Sequence, residues 1–265
     1  MQLATWNVNS IKMRLTQVLD WLETTGTDAI VMQEIKTVDE LFPLDAFSEA
    51  GFDALVCGQK TYNGVALVTR RASFKSVSNP IYNIPGYEDA QKRLIAATLE
   101  LKSGTKVRFA GAYFPNGQEI GCDKYLYKLD WIAALTLWLN EINTADQPPL
   151  ILGGDFNIAP CDEDVWDASL WKDKILVSEP ERNAYRGLLA TGLVDTWSLG
   201  LHAPDTFSWW DYRQAGFEKN HGLRIDHLLA SKTIENGIES VWIDAAPRAL
   251  DKPSDHAPVV MKLIV

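Results

Sequence analysis

The chain opens on an apolar run, Met1–Trp6, that ends in a polar residue, Asn7. Ile11, Leu15, Val18, Leu19 and Leu22 then recur at helical spacing and predict an amphipathic helix over 11–23. Asp28–Met32 is a short apolar strand that runs into Gln33-Glu34. Strand patterns follow at Val65–Thr69, Leu94–Leu101 and Val107–Tyr113. Tyr125, Leu129, Ile132, Trp138, Leu139 and Ile142 mark a long helix across 123–143. Leu150–Leu152 reads as a buried strand that stops at Gly153-Gly154-Asp155, and Tyr185–Leu189 reads as helix. Leu223–Leu229, Ser240–Asp244 and Val259–Ile264 read as strands. No repeat or Gly/Ser/Pro linker divides the chain, and Gln147-Pro148-Pro149 connects a helix to a strand. Residues 1–265 therefore read as one domain, and many strands with interspersed helices predict an α/β sandwich of two sheets.

Polar groups recur where the apolar runs stop. They are Asn7 after Trp6, Gln33-Glu34 after Met32, and Phe114-Pro115-Asn116-Gly117 after Tyr113. Asp155-Phe156-Asn157, Asp226-His227 and Asp255-His256 complete the pattern. Strand ends at one sheet edge lie side by side, so these residues are expected to converge. Their types suit one chemistry. Glu34 and Asp255 are hard oxygen ligands for Mg²⁺. Asp155 suits a base that orients water, and Asn157 and His256 are donors for a developing oxyanion. Asp226 suits a partner that fixes the tautomer of His256, and Asn7 suits a group that positions Glu34 or the metal. His227 alternates with Asp226 along a strand, points to the other face, and reads as structural. Metal, oriented water and oxyanion donors together imply hydrolysis of a phosphate ester.

Composition narrows the setting. The 265 residues are 46% hydrophobic and 23% charged, which excludes disorder and coiled coil. No apolar run is long enough for a transmembrane helix, and the N-terminus lacks the pattern of a secretory signal. Cys57, Cys122 and Cys161 are odd in number and widely spaced, so a disulfide framework or zinc site is not expected and a cytoplasmic location is. The net charge of −10 argues against a protein that coats nucleic acid passively. In so acidic a chain, Lys36, Lys92, Arg93, Arg213 and Arg224 lie beside the motifs and read as phosphate contacts. The chain lacks G-x-S-x-G and P-loop motifs, which disfavours acyl transfer and P-loop nucleotide hydrolysis.

Asn7, Gln33-Glu34 with Lys36, Y-F-P-N-G at 113–117, G-D-F-N at 154–157, F-S-W-W-D-Y-R at 207–213, G-L-R-I-D-H at 222–227 and S-D-H-A-P-V at 254–259 occur in that order. Together they resemble the exonuclease III family of abasic-site endonucleases, within the endonuclease/exonuclease/phosphatase superfamily. The resemblance spans almost the whole chain. It implies a deoxyribonuclease I-like fold, a four-layer sandwich of two packed mixed sheets flanked by helices. It implies Glu34 as principal Mg²⁺ ligand with Asp255 and Asn7 near it, and Mn²⁺ as a substitute. Asp155 then activates water, with either it or His256 as the general base, Asn157, Tyr113 and His256 contact the phosphate and transition state, and Asp226 partners His256. Trp209, Leu223 and Ile225 match positions that line a pocket for a flipped-out, base-less sugar. The implied partner is double-stranded DNA with abasic sites or blocked 3′ ends, bound by a monomer with no membrane association.

Three rivals remain at this stage. One is a phosphoesterase of the same superfamily acting on a lipid, disfavoured by the lack of an amphipathic membrane segment. One is a DNA-binding module without catalysis, disfavoured because no site position is visibly replaced. The third is a 3′-end-processing exonuclease with little abasic-site incision. Residues 168–179 lie where members of the family differ, and Lys172 and Lys174 there are candidates to approach DNA.

Overall fold

The computed structural model describes residues 1–264. In chain order the elements are β1 (Gln2–Asn7), α1 (Ile11–Thr25), β2 (Ala29–Gln33), α2 (Leu44–Glu49), β3 (Phe52–Cys57) and β4 (Val65–Arg70). β5 (Phe74–Tyr82), β6 (Leu94–Leu101), β7 (Lys106–Tyr113), α3 (Asp123–Ile142) and β8 (Leu150–Asp155) follow. α4 (Ala168–Trp171), α5 (Glu179–Ala190), β9 (Leu193–Asp195), β10 (Trp209–Trp210) and β11 (Gly222–Leu223) come next. β12 (Asp226–Ser231), β13 (Ile238–Ile243) and β14 (Val259–Leu263) end the fold.

Two six-stranded sheets form, with orders β13-β14-β1-β2-β4-β3 and β5-β6-β7-β8-β12-β9. Each holds one parallel pair, β1–β2 or β7–β8, at its centre. Every flanking pair is antiparallel. A parallel pair needs a crossover, and α1 and α3 supply the two crossovers. The apolar stripe of α1, with Ile11, Val18 and Leu22, packs on the outer face of the first sheet. Trp131, Ile132, Leu135 and Leu139 of α3 pack on the outer face of the second. Between the sheets, Leu3, Val31 and Leu67 meet Phe109, Ile151 and Leu228. The result is the expected four-layer α/β sandwich.

This topology places the site. β1 and β2 run parallel and finish level, with Asn7 opposite Gln33. β7 and β8 do the same, with Tyr113 opposite Asp155. The antiparallel neighbours start where these strands stop. Asp226 opens β12 opposite Asp155. Val259 of β14 pairs with Thr5, so Asp255 and His256 arrive beside the end of β1. Ligand sites of open α/β sheets lie outside the carboxyl ends of parallel strands, and here two such edges abut.

Several sequence expectations need adjustment. The first helix runs two residues further, to Thr25, and closes on Gly26 at φ 68°. Tyr185–Leu189 is only the end of α5, which starts at Glu179 behind a Ser178/Glu181 capping box. Leu223–Leu229 is two strands, because the chain turns in at Arg224-Ile225. β3, β5 and β9, absent from the sequence reading, are all sheet edges. All three cysteines are free thiols. No helix among the described residues is long and apolar enough to cross a membrane.

The seam between β7 and β8 leaves no space at the Gly153-Gly154 step. A Cβ at Gly154 would lie 2.1 Å from the Ala112 carbonyl oxygen. Gly154→Ala is therefore expected to destabilise the fold by about 2 kcal/mol or more through overpacking. Denaturant unfolding of the two proteins checks it, and equal midpoints would contradict the packing described.

Candidate active site

Glu34 leaves the end of β2 in a left-handed backbone conformation, φ 50°. Asn9, Ser10, Lys36 and Asn157 around it also have positive φ. Such conformations are costly for residues other than glycine and persist where surrounding bonds enforce them. Here the bonds are visible. Ser10 N–H donates to the Glu34 carbonyl at 2.7 Å, and Lys36 N–H donates to Asn63 at 3.0 Å. The Asn157 N–H donates to Asp155 Oδ1 at 2.9 Å.

Glu34, Asp155 and His256 converge, with ligand-type atoms all within 4.8 Å of one another. Asn7 holds the two carboxylates together. Its Nδ2 donates to Glu34 Oε1 at 2.8 Å and to Asp155 Oδ2 at 2.9 Å. Its Oδ1 accepts the Asn9 N–H at 3.0 Å, which fixes the amide orientation. Lys36 Nζ lies 2.9 Å from Glu34 Oε2. Asn7 therefore orders the carboxylates through its amide hydrogens.

His256 bridges two aspartates. Its Nδ1 is 2.8 Å from Asp226 Oδ2, and its Nε2 is 3.7 Å from Asp155 Oδ2. Asp226 Oδ2 also accepts from Ser208 Oγ at 2.6 Å. A carboxylate accepts only, so Nδ1 carries a proton and the tautomer is set. Burial opposes the imidazolium, but Asp226 and Asp155 outweigh it and raise the His256 pKa. Burial is also the largest influence on Asp155, and with the negative charge of Asp226 it raises that carboxyl, against His256 and Asn7. Desolvation, then Glu34 and Asp155, push the Tyr113 phenol well above its usual value, so it stays a donor.

Asn157 is pinned from several sides. Its Nδ2 donates to the Phe114 carbonyl at 3.1 Å, and its Oδ1 accepts from Asn116 Nδ2 at 2.9 Å. One amide hydrogen remains for a ligand. Asp255 stands apart from the convergent group. Asn9 Nδ2 donates to its Oδ1 at 2.9 Å, and the Trp209 indole donates to its Oδ2 at 3.0 Å. It anchors Trp209 beside the cleft. Trp209 pairs with Leu223 across β10–β11. Leu223 and Ile225 are fully covered, in an apolar cluster with Val165, Leu176 and Val177. Trp209 packs against this cluster. Trp166 and Trp171 join that cluster and were not singled out in the sequence, where Trp171 lay in the 168–179 segment.

The basic residues divide. Lys36 is at the site. Arg213 is exposed and paired with Asp211 at 2.8 Å. Arg224 does not reach out to a ligand, contrary to the sequence reading, whereas Arg93 borders a cleft with Tyr113 and Asn116. Arg224 is buried, with Nε 2.6 Å from Asp164 and Nη2 3.1 Å from Asp195. It also donates to His227 Nδ1 at 2.9 Å, while His227 Nε2 donates to the Ile158 carbonyl at 2.8 Å. The His227 ring is therefore neutral, with its pKa lowered to about 4 by burial and by Arg224. Arg93 is buried too, donates to the Tyr113 carbonyl at 3.1 Å and lies 5.0 Å over the Tyr113 ring.

The donor set fits a hard divalent cation. Glu34 and Asp155 offer oxygens that already face each other, and their mutual repulsion is the kind a cation relieves. His256, raised and committed to Asp226, is placed as a proton donor rather than a nitrogen ligand.

Comparison with known proteins places the chain in a family. Residues 4–256 match the Endonuclease/Exonuclease/phosphatase family. The chain is 37% identical to exodeoxyribonuclease III of Haemophilus influenzae, over 98% of each protein. It is 30% identical to an exodeoxyribonuclease of Bacillus subtilis, again over 98% of each. Among solved structures, the 3′ phosphatase NExo from Neisseria, bound to product DNA hairpin, is 38% identical with a TM-score of 0.93, over 100% of both chains. An AP endonuclease from Archaeoglobus fulgidus is 30% identical with a TM-score of 0.91, again over 100% of both chains. With its motifs in order and the fold and relatives in agreement, this chain belongs to the endonuclease/exonuclease/phosphatase family, in its exodeoxyribonuclease III branch.

Proposed function

We propose that the protein is a Mg²⁺-dependent DNA-repair phosphodiesterase that acts 5′ to abasic sites and at blocked 3′ ends of duplex DNA. The observation that carries the reading is the convergence of Glu34, Asp155 and His256 at the shared edge of both sheets. The exodeoxyribonuclease, 3′ phosphatase and AP endonuclease relatives support DNA as substrate. Abasic-site incision, removal of a 3′-phosphate and 3′–5′ exonuclease action all break a bond between phosphorus and a 3′ oxygen. One cluster therefore serves all three, and each leaves a 3′-hydroxyl.

The chain's own groups divide the work. Glu34 and Asp155 are the residues to hold the cation, with Asn7 keeping them together. When bound, a divalent cation neutralises charge on the phosphate and the leaving oxygen. Asp155 also orients the attacking water by accepting its hydrogen. Charged His256 donates from Nε2 toward a phosphoryl oxygen, held in place by Asp226. Tyr113 and Asn157 donate to the remaining oxygens. Trp209, tied to Asp255, flanks the sugar beside the break.

A second reading, 3′-end processing with little abasic-site incision, is favoured by the covered state of Leu223 and Ile225. The proposed cytoplasmic setting accords with free cysteines.

The deciding experiment uses one duplex with a central abasic-site analogue and one with a nick bearing a 3′-phosphate, each with Mg²⁺ or EDTA. Metal-dependent incision of the first is expected, and cleavage of only the second establishes the end-processing reading. Glu34→Ala and Asp155→Asn are each expected to lower turnover by about 10³-fold or more in a folded protein. Near-normal activity in either would sink the assignment. Asp226→Asn removes the nearest negative charge from His256, so the imidazole pKa should fall. NMR titration of the ring reads this, and an unmoved titration would show that Asp226 does not set its state.

A further inference from the structure

Lys128 lies on the inner side of α3, among Tyr125, Trp131 and Ile132, with no exposed surface. A lysine is almost never so placed without partners. Its ammonium pairs with Glu181, itself fully buried. It also donates to the Asn157 carbonyl at 2.7 Å and to the Asn116 carbonyl at 3.3 Å. Glu181 accepts in turn from the Leu176 N–H at 3.1 Å, and from the Ser178 N–H at 3.1 Å and Oγ at 2.6 Å. Leu176 sits at φ 76°, a strained value for its type, and its carbonyl accepts the Ala159 N–H at 2.8 Å. One buried ion pair thus joins the loop after β7, the loop after β8 and the end of the 168–179 segment.

We propose that Lys128 and Glu181 are positioning residues for catalysis, holding Asn157 and Asn116 by their main-chain carbonyls and tying to them the segment that covers the Trp209 cluster. The proposal rests on the reading that Asn157 contacts the scissile phosphate. The route is short. Asn157 N–H donates to Asp155 Oδ1, so a displaced Asn157 also releases one of the bonds that orient Asp155. Asn116 bonds the Asn157 side chain, so both amides lose their aim together. Small misplacements of such groups cost rate far more than binding.

The test compares wild type, Lys128→Met, Glu181→Gln and Leu135→Ala. Leu135→Ala is a core truncation on the same helix that leaves the ion pair intact. Steady-state kinetics on the nicked 3′-phosphate duplex and hydrogen–deuterium exchange of the free proteins are both measured. Lys128→Met is expected to lower kcat at least about tenfold relative to Leu135→Ala, with KM within about threefold. Exchange should accelerate at 114–117, 156–159 and 174–178, and not in β1 or β2. A kcat within about twofold of Leu135→Ala, or unchanged exchange at those segments, overturns the proposal. Glu181→Gln keeps its oxygen acceptor and decides by the same criteria should Lys128→Met not fold. A wild type that cleaves neither duplex defeats the proposed function, and the exchange comparison then decides whether the ion pair orders these loops.

Discussion

Glu34 and Asp155 bring two carboxylates into one cleft, and most of the polar structure around them acts to keep them there. Left alone, two such charges repel, and burial penalises each. Asn7 bridges them with both amide hydrogens, Lys36 lies against Glu34, and His256 faces Asp155. Asp226 adds a third negative charge, which its contact with His256 turns to use by favouring the imidazolium. The arrangement leaves Asp155 raised and His256 raised, an acceptor and a donor side by side.

The fold supplies the placement. Glu34 comes from the first sheet and Asp155 from the second, so the site exists only where both parallel pairs end together. Neither sheet alone holds both carboxylates. The loops leaving these strand ends carry strained residues, among them Glu34, Lys36 and Asn157. That strain persists because main-chain hydrogen bonds, and beneath Asn157 a buried ammonium, determine the conformation. Rigidity of this kind keeps donors aimed before any ligand arrives, which is the condition for electrostatic stabilisation.

Much of this was legible in the sequence because the central strands are buried on both faces and end abruptly in polar residues. β1, β2, β6 and β8 read clearly for that reason. β5 did not. It alternates exposed and half-buried residues, carries Pro80 and shifts register twice against β6. β3 and β9 share its edge position. The site residues stood out as polar groups at strand ends, and the structure brings Asn7, Glu34, Asp155, Asn157, Asp226 and His256 together. Arg224 misled, since a basic residue beside a motif reads as a phosphate contact while burial among acceptors is invisible without the fold. Lys128 was missed for the same reason. The Ser178-x-x-Glu181 capping box went unread in the sequence, and the second role of Glu181, as partner of Lys128, depends on the packing of α3 against α5.

The central claim is that the paired carboxylates of Glu34 and Asp155 create one cation site. Titration of Mn²⁺ into the free protein, followed by electron paramagnetic resonance, tests it without any substrate. The account predicts a bound ion in the wild type and weakening of its affinity by about tenfold or more in Glu34→Gln, since one of two charged oxygen ligands is lost. Mn²⁺ bound equally well by wild type and Glu34→Gln would contradict it.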